Sequence, residues 1–424
     1  MSHTLAEHFF RHSYGMLVAV LCRQFGPQHL ELIEDSVQSA LLEAMQCWRA
    51  GAPNNPAAWL KRVASNRMLD HFRHSKVAAN ASSMLEIPEI AEPPAPEVIA
   101  DERGLDDEVL RLIFMVCHPA LNRRAQIMMA LKHLCGFSTD EIARGLLMNR
   151  EAIKKQLQRT AQQLRELKPE FELPPESVLG ERLDIVHHVL YMIFTEGHSS
   201  ASAEQIIRED VCAEAARLTH LLATHALGNA DTRALLALMM LHAARLPERM
   251  DQDGNTRLLE DQNRHLWDQS LIHQAGQWLR SALPGPDSAE FAEFAGRYQL
   301  EALIALLHGC APSFEQTPWH DIVRCYDALL QQHNSPVYRV NRAIAVALSH
   351  GVENALSDLE TIPHNAATYP GLACAHAWLL ERAGRFNEAL IICERVLEFA
   401  LAPHERRLMM QQKSRLLAQV AQKH

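Results

Sequence analysis

Residues 138–165 constrain the fold more than any other stretch. Ser138-Thr139-Asp140-Glu141 sets a hydroxyl three residues ahead of a carboxylate, the capping box that opens a helix. Ile142, Ala143 and Leu146 follow at helical spacing, and Leu147-Met148-Asn149 interrupts them. A second periodic run then carries Ile153, Leu157 and Leu164 on one face and Arg150, Lys154, Lys155 and Arg159 on the other. Two short helices with a tight turn and a basic second helix predict a helix-turn-helix, which lays its second helix in the major groove of DNA. The plainer reading of the same residues is a helical hairpin with a solvated basic face.

With 424 residues the chain is too long for one small core and predicts several domains. Its nine cysteines include no Cys-x-x-Cys pair, so neither a disulfide framework nor a zinc ribbon is expected, and they read as reduced thiols of a cytoplasmic protein. No secretory leader or membrane-length apolar run is legible. The net charge of −10 argues against indiscriminate coating of nucleic acid, although a local basic face can still bind it. Phosphate loops, dinucleotide fingerprints, His-Glu-x-x-His and Gly-x-Ser-x-Gly are all missing, so the chain is expected to be no enzyme and to need no cofactor. His71-x-x-His74 and His187-His188 have no evident cysteine or carboxylate partner, so no metal is expected there.

Taken in order, residues 1–76 read as a small helical bundle, with Leu17, Val20, Leu21, Val37, Leu41 and Ala44 at core spacing. The break at Gly51-Ala52-Pro53-Asn54-Asn55-Pro56 precedes an amphipathic helix that exposes Lys61, Arg62, Arg67 and Arg73. A basic helix beside a polar loop can hold single-stranded DNA, and Trp59 at the junction either stacks on a base or packs in the bundle. Residues 77–108, rich in proline and acid, read as a linker. Residues 109–168 hold the helix-turn-helix and a preceding helix from Val109 to Cys117. Residues 169–181 form a second, proline-marked linker, and residues 182–424 are helical throughout. Near the end, Pro336 and Pro370, Ala343 and Ala377, and Ala355-Leu356 and Ala389-Leu390 recur at the tetratricopeptide period, which suggests an irregular helical solenoid with a concave binding surface. Gly197 reads as a helix C-cap, and Glu260 to Arg264 with Trp267-Asp268 as a solvated helix start.

Two DNA-binding units in this order, joined by an acidic linker, resemble a sigma-70 family RNA polymerase sigma factor of the extracytoplasmic-function type. Glu34-Asp35-x-Val37-Gln38-x-Ala40-x-x-Glu43-Ala44 is similar to the region-two helix that docks on the clamp of core polymerase. The resemblance assigns Glu34, Asp35 and Gln38 to that contact. Asn54-Asn55-Pro56-x-x-Trp59-Leu60 and Asn66-x-x-x-Asp70-x-x-Arg73 resemble the segment that melts and reads the minus-ten element. It would use Asn54, Asn55, Trp59, Arg62, Asn66, Arg67 and Arg73. Residues 138–165 resemble region four, so Arg150, Glu151, Lys154, Lys155 and Arg159 are expected on minus-35 DNA; Leu147 stands where the family often has glycine. Leu183-x-x-Val186 and Tyr191-x-x-Phe194-x-Glu196-Gly197 resemble the start of the tetratricopeptide-like extension of the subgroup numbered forty-two.

The resemblance implies an all-α protein: two small sigma domains, region 2 at 1–76 and region 4 at 109–168, followed by a helical regulatory domain at 182–424. Its partners would be core RNA polymerase at the clamp and flap, promoter DNA, and a protein or peptide on the solenoid, with no membrane. The competing class is a helix-turn-helix regulator that senses a ligand or partner without serving as a sigma subunit. Dimers on a palindromic operator would mark it. A pure scaffold would show no DNA preference even with polymerase present.

Overall fold

A computed structural model describes residues 3–48, 51–80, 102–146, 148–199, 205–249, 251, 257–283, 295–360, 370–398 and 403–423. The protein is all-α, with no strand among the described residues, and divides into two compact units. The first comprises residues 1–198 and 207–222, the second residues 199–206 and 223–424. Most of the proline-rich acidic stretch expected as a linker, residues 81–101, lies outside the described residues, as do Leu147, Gly254 and Pro284-Gly285-Pro286.

In the first unit α1 (His3–Phe25), α2 (Leu30–Cys47) and α3 (Pro56–Asn80) form a bundle. Leu30, Ile33, Val37, Ala40 and Ala44 recur every three or four residues on α2 and are buried against Leu60, Ala64 and Met68 of α3 and Leu17 and Leu21 of α1. The fourth helix, α4 (Glu102–Val116), begins seven residues before Val109, where the sequence suggested linker. Acidic residues are equally at home in the opening turns of a helix, where the free N–H groups favour carboxylates, so composition alone did not separate the two. Helix α4 packs on α1, and α5 (Arg123–His133) is buried nearly all round, with Ala125 and Ile127 to Leu131 enclosed.

A close approach sets the packing of α1. A Cβ on Gly15 would lie 2.3 Å from the Leu134 carbonyl oxygen, and Gly136, beside it, holds φ at 69°. Gly15→Ala must push backbone apart, so it should lower unfolding free energy by about 2 kcal/mol, read by chemical denaturation of the full chain.

Two further helices, α6 (Thr139–Gly145) and α7 (Arg150–Leu167), complete the lobe beside α5. The proline stretch near 169–175 stays on the first unit: Phe171 is buried and Glu172 accepts from Arg23 Nη1 at 2.6 Å. Next, α8 (Glu176–Ser199) is tied down by Arg182, which donates to the Phe114 carbonyl and lies 5.8 Å from the Phe114 ring centroid. With α9 (Gln205–Thr224) it belongs almost entirely to the first compact unit. Gly197 sits inside α8 and caps nothing, because the helix continues to Ser199.

The second unit opens with α10 (Ala230–Ala243), buried from Ala234 to Met239 and enclosed by α12 (Gln269–Ala282) and α13 (Arg297–Cys310). Between α10 and α12 lie the single turn α11 (Leu246–Arg249) and two 3-10 turns. Beyond them α14 (Trp319–Gln332), α15 (Pro336–His350), α16 (Val352–Glu360), α17 (Pro370–Arg382), α18 (Phe386–Leu397) and α19 (Pro403–Lys423) pack neighbour on neighbour. Pro336 and Pro370 each open a helix, the position where a missing N–H costs nothing. Gly351 and Gly384 each make the following turn with positive φ, 96° and 74°.

Candidate nucleic-acid interface

The capping box at Ser138 is formed: its hydroxyl accepts from Glu141 N at 3.2 Å and its own N–H donates to Glu141 Oε2 at 2.7 Å. Asn149 starts α7 by accepting from Glu151 N at 2.8 Å. On α7 the inward face is Ile153, Thr160, Ala161 and Leu164, all buried, with Leu157 half-buried. Arg150, Glu151, Lys154, Lys155 and Arg159 are all exposed, so one helix face gathers four cations and one acid. Arg150 Nε pairs with Asp140 at 2.9 Å, while among the described residues no ion pair holds Lys154, Lys155 or Arg159. These three ammonium and guanidinium groups are free for phosphates and base edges.

On the first bundle, Asn54 and Asn55 are exposed ahead of α3, and Asn55 Oδ1 accepts from Ala58 N at 3.0 Å. Arg62 and Asn66 are exposed; Arg67 pairs with Glu43 at 2.8 Å and Arg73 with Asp70 at 2.9 Å. Trp59 meets Trp48 edge-on, ring centroids 5.4 Å apart, and remains partly accessible. One side chain thus packs on Trp48 and keeps part of its surface open. The minus-ten set lies on one loop and helix, whereas the basic face of α7 lies on another part of the unit.

The three residues assigned to the polymerase clamp are not equivalent. Asp35 and Gln38 are exposed, but Glu34 is 8 % exposed and turned inward. It forms an ion pair with Lys132 of α5 and accepts from Gln38 Nε2 at 2.8 Å. Burial pushes the Glu34 carboxyl above its ordinary range, against the pull of the Lys132 ammonium. His133 Nδ1 lies 3.7 Å from the same carboxylate, but burial, then Lys132, pushes His133 down to about 3, so the ring is neutral and makes no ion pair. Tyr14, buried beside them, is pushed well up by burial and by Glu34. Glu34 therefore joins α2 to α5, and position 34 falls on the edge of the stripe that α2 buries.

The exposed stripe of α2 contains two residues the sequence reading passed over. Leu42 is 61 % exposed and Met45 55 %. With Asp35 and Gln38 they fall at steps of three, four and three residues, the spacing of a coiled-coil seam. That spacing was present in the sequence, hidden because Leu41, Ala44 and their neighbours supply a second apolar stripe on the same helix.

Among the described residues no cluster of histidine, cysteine or acid could hold a metal, and no helix is long and apolar enough to cross a membrane. His71 and His74 are exposed, and His187 is fully buried and neutral, pushed by burial to about 4.

Comparison with known proteins fixes the class of the first bundle. Residues 9–77 match the family model described as sigma-70 region 2, and residues 182–283 match that of a family of unknown function. The N-terminal bundle is thus a sigma-70 region 2 domain, which gives the chain a sigma-factor-like role in binding RNA polymerase. Along nearly its full length the chain is similar to the uncharacterized protein R00370 of Rhizobium meliloti (strain 1021): 32% identity over 411 residues, 95% of this chain and 94% of that one. It belongs to the same family as that protein. No solved structure matches it.

Proposed function

We propose that the protein is a sigma factor of the extracytoplasmic-function type, which binds core polymerase, recognises promoters and has its activity modulated by its C-terminal helices. The observation that carries this reading is the exposed Asp35, Gln38, Leu42, Met45 seam on the region 2 domain. A helix with an empty coiled-coil seam fits a coiled-coil partner, such as the clamp of the polymerase. On the same domain Asn54, Asn55, Trp59, Arg62, Asn66, Arg67 and Arg73 form the surface for the melted minus-ten strand: cations follow the backbone and the accessible Trp59 face receives a base. Helices α6 and α7 act as a helix-turn-helix of region 4, with Arg150, Lys154, Lys155 and Arg159 along the minus-35 major groove and Glu151 at the helix start beside them. The paired hairpins of α15 to α18 serve as a tetratricopeptide-like platform for a protein or peptide.

Charge reversal tests the DNA arm. Lys154→Glu with Lys155→Glu should weaken nuclease protection of the minus-35 region by the protein–polymerase complex at least ~30-fold at fixed salt, and flatten its salt dependence. Both side chains are exposed, so folding should be unchanged. Undiminished protection by a folded variant would remove α7 from the promoter.

A further inference from the structure

The segment from Glu260 to Asp268, expected as a solvated helix start, is solvated only in part. Asp268 does cap α12, accepting from Leu271 N at 2.9 Å, but Gln262, Arg264 and Trp267 are buried. Arg245 and Arg264 both pack on the Trp267 ring, with guanidinium carbons 5.1 and 5.2 Å from its centroid.

Buried Arg264 and half-buried Arg245 share one indole, and among the described residues neither has a carboxylate within ion-pairing distance. Arg264, 6 % exposed, donates to the carbonyls of His308 at 2.8 Å and Ala311 at 3.2 Å and to Thr317 Oγ1 at 2.9 Å, all neutral acceptors. Arg245 reaches Gln262 Oε1 at a long 3.4 Å. Among the described residues the Nε–H of each arginine is buried without a hydrogen-bond partner, and so is His308 Nδ1. Glu248, the buried carboxylate nearest in sequence, is committed to Arg257 Nη1 at 2.6 Å and Asn263 N at 2.9 Å. Glu315, whose field reaches Arg264, is out in solvent.

Mutual repulsion is felt throughout the group. Burial and then Arg249 and Arg264 push Arg245 down to about 10; burial and then the arginines push His242 and His308 to about 3. Cations taken out of water are ordinarily offset by an anion, and the described residues supply none to Arg245 or Arg264. Arg245 and His242 keep part of their surface open, so the group can be reached from outside.

We propose that the second unit binds a small anionic metabolite, through a phosphate or carboxylate group, at Arg245, Arg264 and the Trp267 ring they share. Guanidinium forks suit both oxyanions in bidentate geometry, and the unpartnered Nε–H groups are donors of that kind. The site owes nothing to the DNA-binding surfaces and stands whether or not the chain serves as a sigma subunit.

Thermal unfolding of the full-length protein tests it, with 10 mM sodium phosphate or 10 mM sodium citrate against sodium chloride of equal ionic strength. A ligand that binds only the folded state should raise Tm by at least ~2 °C. The rise should vanish in Arg245→Met, shrink at least threefold in Arg245→Lys, and persist in Arg324→Met, whose side chain is exposed. A response to phosphate alone assigns the site to phosphorylated ligands; to citrate alone, to carboxylates; to both, to either oxyanion. Absence of any rise in the wild-type protein overturns the proposal, and needs no variant to fold. An equal rise in wild type and both Arg245 variants overturns it too, since salt exclusion from the surface acts on all of them alike.

Discussion

Leu42→Asp with Met45→Asp should lower affinity for core RNA polymerase by at least about 30-fold, the equivalent of ~2 kcal/mol. Both side chains are among the largest exposed apolar groups of the protein, so the substitutions relieve no core packing and should leave the helical signal and the unfolding midpoint unchanged. The effect arises at the partner: carboxylates would have to enter the dry centre of a helix–helix seam, where an unpaired charge is heavily penalised. Glu34→Ala should behave in the opposite way. Its carboxylate is buried against Lys132, so its loss should disturb folding more than docking. A pull-down with purified core polymerase, paired with a denaturation curve for each variant, separates the two. Full core binding by the double variant would remove α2 from the interface.

Lys132→Met is the second large effect. It strands the Glu34 carboxylate in an interior site, and breaking a buried pair from one side costs about 3 to 5 kcal/mol. Restoring balance from the other side should recover most of it, so Lys132→Met with Glu34→Leu is expected to lie within about 1.5 kcal/mol of wild type. The penalty has a defined pH dependence. Burial raises the folded-state pKa of Glu34, and losing the Lys132 ammonium raises it further. A carboxyl whose folded pKa exceeds its unfolded value contributes stability that is present below the unfolded value, near 4.5, and is lost as pH rises through the folded one. The single variant should therefore lie closest to wild type at acid pH and fall furthest behind at neutral pH. A penalty that does not change between pH 4.5 and 7.5 would mean that Glu34 carries no charge in the folded protein.

Much of this architecture could be read directly from side-chain order. The Ser138 box, the inward Ile153 and Leu164 of α7 and the outward Lys154, Lys155 and Arg159 are local facts, set by a period of 3.6 residues. What the sequence hid was long-range. Nothing near Glu34 announces that Lys132, almost a hundred residues away, will cover it. The acidic run before Val109 looked like linker because composition does not distinguish a chain too charged to fold from the acid-rich start of α4. Arg264 read as surface because a lone arginine ordinarily is; only the fold brings Trp267, Arg245 and the His308 carbonyl around it. Leu42 and Met45 stand beside the Leu41 and Ala44 stripe in sequence, and only the packing of α2 leaves them on open surface.

A sigma subunit turns core polymerase into a promoter-specific enzyme, so run-off transcription with start-site mapping is the decisive measurement. Purified core polymerase would be given a pool of genomic promoter fragments with the full-length protein, without it, and with the Leu42→Asp, Met45→Asp variant. A discrete set of 5′ ends should appear only with the wild-type protein and vanish with the seam variant. A sigma role through this seam would be contradicted if the protein added no start sites, or if those it added were unchanged when the seam is broken.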